Sequence, residues 1–340
     1  FESLIVYMIE HSVVNIVNYK LFLALLICNF FLFYIYLNIA KKIGFVDKSK
    51  KFNNPITVTS AGIMIYLNFL ILFLLNFIFD NTLINNLPNN YLLTFVGLTI
   101  LVTISAMDDF KSVDPKIRLF FHLICIYFSL SSIPIYQLDF PLKLVILVFL
   151  LIWVYLLNIT NFTDGSDGFL AINTIFVFVN FIFLDHLLKL NTFSKDILIL
   201  ILPSILVFLY FNKPSAKLYL GDSGSVLIGF INGFLFLDLL IINNINLAIS
   251  LMIYPIIDCS VALVKKSLQK KMPWVDTSNY SFLQPSKSKN KNKYFVFYFN
   301  LLFNLLNSFF IFIQVMFGWY YIVLNIILTL VTMKVYEKKN

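Results

Sequence analysis

The strongest constraint on this chain is its series of long apolar stretches, which are too many for a soluble core. A helix that crosses a bilayer needs about 20 mostly apolar residues. Of the 340 residues, 60% are hydrophobic and 12% are charged, which indicates that lipid covers much of the surface. The pattern predicts an all-α polytopic integral membrane protein with about eleven transmembrane helices, near 20–40, 58–79, 91–107, 118–135, 141–158, 169–184, 196–211, 224–242, 246–265, 294–315 and 317–336.

The segment before the first predicted span, residues 1–18, is apolar but interrupted by Glu2, Glu10 and His11, which is typical of an interfacial helix. It has no basic region followed by a small-residue cleavage site, so we do not expect a signal peptide. Because the chain begins with Phe1 rather than Met, we expect the natural N-terminus to lie upstream. Residues 1–340 are expected to form one transmembrane domain with a large basic loop at 266–293.

The basic residues predict the orientation of the helices. With the loops numbered alternately, 21 of the 25 Lys and Arg residues fall on one side, in 41–57, 108–118, 212–223, 265–293 and the tail after 333. The positive-inside rule makes this side cytoplasmic, with the N-terminus outside and the C-terminus inside. The net charge of +8 therefore reflects topology and attraction to anionic headgroups, and we do not expect a nucleic-acid partner.

Cysteine and histidine are not expected to form disulfides or a zinc site. The three Cys residues show no paired spacing, and the three His residues show no zinc-ligand spacing; they are Cys28, Cys125, Cys259, His11, His122 and His186. Any metal site in this chain must therefore be built from oxygen ligands.

Acidic and amide residues form three compact motifs at the predicted cytoplasmic ends of helices: Asp108-Asp109, Asn158-x-x-Asn161-x-x-Asp164-Gly-x-Asp167-Gly and Gly221-Asp222-Ser223-Gly224-Ser225. Each has a simpler interpretation: a solvated loop with ion pairs, a turn, or a serine-protease-like sequence that lacks a His partner. Together on one face, they indicate a shared site. Crowded carboxylates repel each other unless a cation compensates, and oxygen-only ligands favour Mg²⁺ or Mn²⁺. Asp47 and Asp276, which are single carboxylates in Lys-rich loops, are the weakest candidates.

These motifs resemble those of the polyprenyl-phosphate N-acetylhexosamine-1-phosphate transferases, in order, spacing and membrane side. The run Asn158-Ile-Thr-Asn161-Phe-Thr-Asp164-Gly-Ser-Asp167-Gly is similar to the family's Asn-x-x-Asn-Phe-x-Asp-Gly-x-Asp-Gly signature. The Asp108-Asp109 pair, the Gly221–Ser225 segment and the loop from Gly44 to Gly62 also match, so the resemblance spans roughly 20–265. One departure lies in 276–282, where many members carry a His-x-His-His motif and this chain has no His.

The resemblance implies a catalytic domain that transfers a sugar-1-phosphate, with an N-acetylated amino sugar expected, from a UDP-sugar to undecaprenyl phosphate, releasing UMP. It also implies a bacterial inner membrane protein with its active site on the cytoplasmic face, which initiates a surface glycan such as the O-antigen of lipopolysaccharide. By the same resemblance, Asp108 and Asp109 are catalytic, with Asp108 as base, and Asp222 with Asp109 binds Mg²⁺. The expected substrate-binding residues are Asn158, Asn161, Asp164, Asp167, Lys111, Lys116 and Arg118.

Three alternatives remain open from the sequence. The first is the phospho-MurNAc-pentapeptide transferase of peptidoglycan synthesis, in the same family. The second is a non-catalytic relative, because the His motif is absent from 276–282. The third, from another class, is a cation-coupled transporter that uses intramembrane carboxylates. The sequence leaves the oligomeric state open between monomer and homodimer.

Overall fold

The computed structural model describes residues 2–46, 57–79, 91–135, 138, 140–190, 192–270, 272, 279–287 and 293–338. Asp47 and Asp276 lie outside these residues. The described part of the chain is helical apart from connecting segments and two isolated β-bridges, which join Val58 to Val46 and to Leu218.

Thirteen α-helices and three 3₁₀ turns make up the described structure. The α-helices are α1 Glu2–Ile43, α2 Ala61–Phe79, α3 Tyr91–Phe110, α4 Pro115–Ser129, α5 Leu142–Thr163, α6 Phe169–Leu188, α7 Phe193–Asn212, α8 Gly221–Ile241, α9 Ile245–Leu251, α10 Ile253–Leu268, α11 Gln284–Lys287, α12 Lys293–Phe317 and α13 Ile322–Glu337. The 3₁₀ turns are Leu130–Ser132, Ser281–Leu283 and Trp319–Tyr321.

The prediction of an all-α polytopic membrane protein is confirmed. Among the described residues, eight helices are long and apolar enough to cross a bilayer, and α9 with α10 makes a ninth candidate span that bends by 77°. Ten of the eleven predicted spans each coincide with one helix, and the span 246–265 falls on α9 and α10. Helix α4 has only 15 residues, and the described side chains of α2 give a short apolar segment, Ala61–Leu74. Helix α1 is continuous from Glu2, so residues 2–18 belong to the same helix as the first candidate span, Phe22–Ile43.

Helix α8 forms the centre of the bundle, with 89% of its most apolar window buried. Helices α2, α3 and α5 pack around it. The backbones of α2 and α8 meet at Gly62 and Gly224, where a Cβ on Gly62 would lie 2.0 Å from the Gly224 nitrogen. Small residues are what allows transmembrane helices to approach this closely. The N-terminus of α8 is therefore held in place by the helices around it.

Within the part of the chain that the structure describes, helix ends next to several of these basic loops meet at one end of the bundle. The end of α3 contacts the start of α8 there, and Lys265 Nζ at the end of α10 lies 3.2 Å from Glu337 Oε1 at the end of α13. At the other end, Lys195 at the start of α7 pairs with Asp185 near the end of α6. We refer to these as the site end and the far end.

Candidate active site

A cavity of about 800 Å³ opens at the site end, where α3 and α5 finish and α8 begins. This volume lies within the usual range for small-molecule sites. All three acidic motifs contribute to its wall, although they are far apart in sequence. Its lining residues are Gly44, Phe45, Val46, Thr59, Asp108, Asp109, Phe110, Ser112, Asn161, Asp164, Gly165, Ser166, Asp167, Asn212, Tyr219, Gly221 and Asp222.

Asp109 binds the N-terminus of α8. Its Oδ1 accepts a hydrogen bond from the Asp222 backbone N–H at 2.7 Å, and its Oδ2 accepts from the Ser223 hydroxyl at 2.8 Å and backbone N–H at 3.3 Å. The first N–H groups of a helix lack intrahelical partners, and the helix dipole favours an anion at this position. A side chain at Gly221, where φ is +75°, would collide with this carboxylate at 2.5 Å. The Asp109 carboxylate thus fixes the turn that presents Asp222.

Arg118 links the first and third motifs. Its Nη1 donates to Asp108 Oδ2 at 2.6 Å and to Asp222 Oδ2 at 2.5 Å. The other oxygen of Asp108 accepts from the Val113 backbone N–H at 2.5 Å. One guanidinium nitrogen thus holds the two carboxylates side by side at the cavity wall. Arg118 is three-quarters buried and Asp222 two-thirds buried, so the pairs are only partly screened by solvent.

The second motif covers the end of α5 and the turn that follows it; we call residues 161–168 the site loop. The Ser225 hydroxyl donates to Asn161 Oδ1 at 2.8 Å, which ties the start of the loop to α8. At its end, the Gly168 N–H donates to Asn212 Oδ1, and Asn212 Nδ2 donates to the Leu218 carbonyl, both at 2.8 Å. Sequence reasoning missed Asn212, a single amide at a helix end whose contacts exist only after folding.

Asp164 is a cavity carboxylate whose ionisation is strongly affected by its surroundings. Burial, and then the negative charge of Asp109, raises the pKa of Asp164 to about 7. Both causes disfavour the carboxylate form, and a nearby cation would favour it. A cation that enters the cavity would therefore compete with a proton at Asp164.

Of the residues expected from the sequence, six line the cavity: Asp108, Asp109, Asn161, Asp164, Asp167 and Asp222. Arg118 joins them through its ion pairs. Asn158 is not a lining residue; its Nδ2 donates to the Val154 carbonyl of its own helix at 2.7 Å. Lys111, in the loop before α4, and Lys116, in the first turn of α4, are exposed and are also absent from the lining.

The cavity suits a hard cation in charge and donor type. Five carboxylates line it, no Lys or Arg is among the described lining residues, and the donors are oxygens, as Mg²⁺ requires. Within the described ranges, no three Asp, Glu, His or Cys side chains are grouped as a preformed metal site. The closest arrangement is the Asp108 and Asp222 pair, which Arg118 bridges. A cation at this pair would share it with the guanidinium or displace it.

Fold and cavity together define a class: a multi-pass membrane protein with an oxygen-lined polar site at one end of its helices. Residues 91–240 match glycosyl transferase family 4, and the matched region contains all three motifs. This match supports the resemblance, read from the motifs, to the polyprenyl-phosphate hexosamine-1-phosphate transferases.

Similar curated proteins include the phospho-N-acetylmuramoyl-pentapeptide-transferases of Leuconostoc citreum (strain KM20) and Staphylococcus carnosus (strain TM300). The first is 37% identical over 89 residues, which cover 24% of this chain and 26% of the relative. The second is 33% identical over 98 residues, or 28% and 30% of the two chains. The matched segments thus span less than a third of the length of these relatives.

Proposed function

We propose that this protein transfers a sugar-1-phosphate from a UDP-sugar to undecaprenyl phosphate, giving undecaprenyl-diphosphate-sugar and UMP. The observation that carries the proposal is the single cavity in which all three family motifs meet. Its size suits a nucleotide sugar. We place the reaction on the cytoplasmic face of a bacterial inner membrane, because the site end carries the basic loops.

The charge of the cavity explains how such a reaction is catalysed. The attacking lipid phosphate and the UDP-sugar diphosphate are both anions, so the barrier comes from bringing them together in line. The cavity wall is itself acidic, which makes a cation necessary. Mg²⁺, with Mn²⁺ as an alternative, would neutralise charge on the diphosphate and on the leaving UMP. Arg118 adds a fixed positive charge with the planar geometry that phosphates prefer.

The contacts suggest a separate role for each acidic residue. Asp222 and Asp108 would hold the cation, since both face the cavity and already share one positive group. Asp108 is also our candidate for the base that keeps the lipid phosphate fully ionised, a modest gain because that group has a pKa near ~6. Asp109 acts by orienting the start of α8. Asn161, Asp164 and Asp167 would bind the nucleotide and sugar.

Two sugar donors are candidates. The motif resemblance favours a UDP-N-acetylhexosamine and a surface glycan such as O-antigen. The curated relatives are named as phospho-N-acetylmuramoyl-pentapeptide-transferases, which favours UDP-MurNAc-pentapeptide instead. The His-free sequence of 276–282 is the local feature most closely tied to this choice.

A transfer assay separates these donors. Membranes containing the protein are incubated with labelled UDP-GlcNAc or labelled UDP-MurNAc-pentapeptide, with undecaprenyl phosphate, and with or without Mg²⁺. Label that becomes extractable into butanol only with Mg²⁺ and one donor supports the proposal and identifies that donor. If neither donor nor other UDP-sugars give lipid-linked label, while the protein remains folded, the transferase proposal is wrong and the non-catalytic or transporter alternative is favoured.

A further inference from the structure

A buried carboxylate outside the cavity, Asp258 of α10, contacts the segment that replaces the missing His motif. We propose that Asp258 is a positioning residue, which holds residues 280–283 against the site loop and so sets the shape of the cavity wall. The inference rests on the proposed function only for its kinetic consequence. Its structural consequence is measurable without turnover.

Asp258 holds the segment through Ser281. The Asp258 side chain is 1% exposed, and its Oδ1 accepts a hydrogen bond from the Ser281 backbone N–H at 3.0 Å. The Ser281 hydroxyl lies 2.7 Å from the hydroxyl oxygen of Tyr254, also on α10. A buried carboxylate that accepts a backbone N–H restrains the backbone at that point, and removing it leaves a buried donor without its partner. Helix α10 thus anchors the segment at one residue.

The residues on either side of Ser281 contact the site loop. The Tyr280 ring stacks on Phe162, with centroids 5.9 Å apart, and the Phe282 ring stacks on Phe169 at 4.5 Å with an interplanar angle of 17°. Tyr280 and Phe282 are both fully buried. Through these aromatic rings the segment touches the site loop at Phe162 and the first residue of α6, Phe169, directly after the loop.

The middle of the site loop is also in contact with this segment. A Cβ placed on Gly165 would lie 3.1 Å from the Leu283 side chain and 3.5 Å from the Phe282 ring. Gly165 lines the cavity between Asp164 and Ser166. Residues 280–283 thus pack against the part of the cavity wall that contains two of the proposed substrate-binding carboxylates, Asp164 and Asp167.

A buried cation reinforces the contact. Lys266 is also on α10 and is 1% exposed. Its ammonium lies 4.9 Å from the centre of the Tyr280 ring and 5.9 Å from that of the Phe162 ring. Its Nζ also lies 3.4 Å from the Tyr280 hydroxyl oxygen. A cation over aromatic faces is attracted to both rings. Lys266 therefore contacts both rings, while Asp258 holds the neighbouring Ser281 backbone.

Asp185 at the far end provides a matched control. It is also 1% exposed and accepts a backbone N–H, that of Thr192 at 2.9 Å, and its other side-chain partners among the described residues are the Thr192 hydroxyl and Lys195 rather than the site loop. If Asp258 acted only through general stability, replacing Asp185 would have the same consequences. If Asp258 positions the site loop, the two replacements differ in which segments exchange their amide hydrogens faster.

Hydrogen–deuterium exchange on the full chain in nanodiscs tests the structural claim for Asp258→Ala, Asp258→Asn and Asp185→Ala. We expect Asp258→Ala to speed amide exchange by about tenfold in both 279–287 and 161–168. Asp258→Asn keeps an acceptor for the Ser281 N–H and should restore most of the protection. Asp185→Ala should speed exchange near 185–196 only. Unchanged exchange at 161–168 in Asp258→Ala, or an equal rise there in Asp185→Ala, would overturn the proposal.

Kinetics test the functional consequence. We expect Asp258→Ala to raise the KM for the UDP-sugar by about tenfold with kcat changed much less, because binding geometry is lost while Asp108, Asp222 and Arg118 remain. Asp258→Asn should recover most of the affinity. A fall in kcat at unchanged KM would contradict a positioning role. If the wild-type protein shows no transfer, the proposed function fails, and the exchange measurement still decides the role of Asp258.

Discussion

The two ends of the helix bundle both bury carboxylates, yet among the described residues only the site end has carboxylates around a large cavity. At the far end, Asp185 accepts from the backbone and hydroxyl of Thr192 and pairs with Lys195 at 3.3 Å. Asp238 of α8 accepts from the Ser194 hydroxyl. These acidic groups are paired with immediate neighbours. A small cavity next to them, of about 40 Å³, is lined almost entirely by apolar groups and by no carboxylate.

At the site end, five carboxylates face a space of about 800 Å³, and Arg118 is the cation that contacts two of them. Helix α8 contributes to both ends, with Asp222 in its first turn and Asp238 near its last. The comparison shows that a buried acid by itself is a structural element. A surplus of negative charge around open space is what indicates a site for a cation and anionic substrates.

Replacing Asp222 should give the largest difference between the ends. Asp222→Asn is expected to lower Mg²⁺-dependent transfer by about 100-fold or more, because the variant loses a charged ligand for the cation. Asp238→Asn, on the same helix, is the control and should stay within about threefold of wild type. Transfer rates in purified membranes measure both. Near-normal turnover in Asp222→Asn would remove the metal role from this residue.

Arg118 should show the next largest effect. Arg118→Lys keeps the charge but loses the planar guanidinium that spans Asp108 and Asp222, so we expect transfer to fall by about 10- to 100-fold. The exposed neighbour Lys116 gives the comparison, and Lys116→Ala should change the rate by less than about threefold. Retained transfer in Arg118→Lys together with a loss in Lys116→Ala would show that only the net charge of this segment matters.

Asp109 should affect activity and stability together. Asp109→Asn removes the charged partner of the first N–H groups of α8, at a cost of about 1–3 kcal/mol in unfolding free energy, and it should reduce transfer by about tenfold or more. Asp185→Asn at the far end should lower the unfolding temperature similarly while transfer per folded molecule is retained. Thermal unfolding in detergent, combined with the transfer assay, separates the two. Loss of activity in Asp185→Asn would break the contrast between the ends.

The pH dependence of the Mg²⁺ requirement should be the smallest effect. Because the pKa of Asp164 is raised to about 7, protons compete with a cation at this carboxyl below pH 7 and no longer do so above it. The Mg²⁺ concentration for half-maximal transfer should therefore rise by a few-fold from pH 8 to pH 6. Asp164→Asn should flatten that change in whatever activity remains. A requirement independent of pH in the wild type would show that Asp164 does not sense the cation.

Much of the fold could be predicted because hydrophobic length is a local property. The apolar stretches predicted the helices, and the uneven distribution of lysines predicted which helix ends share a side. Lys265 and Glu337, assigned to the same side, form an ion pair. The breaks were missed: the predicted span 246–265 is two helices that meet at 77°. Local hydropathy does not register such a bend, because both arms remain apolar.

The sequence by itself determined the class of the protein, the oxygen donors available for a cation and six residues of the cavity wall. It could do so because the spacing of the motifs and the types of their side chains are local properties of the chain. Only the tertiary structure decided which contacts each of those residues makes. It assigned Asp109 to the start of α8, placed Arg118 between Asp108 and Asp222, and left Asn158 bonded within its own helix. These outcomes depend on contacts between helices that are distant in sequence. The packing of those helices therefore decides which hydrogen bonds and ion pairs each acidic residue makes.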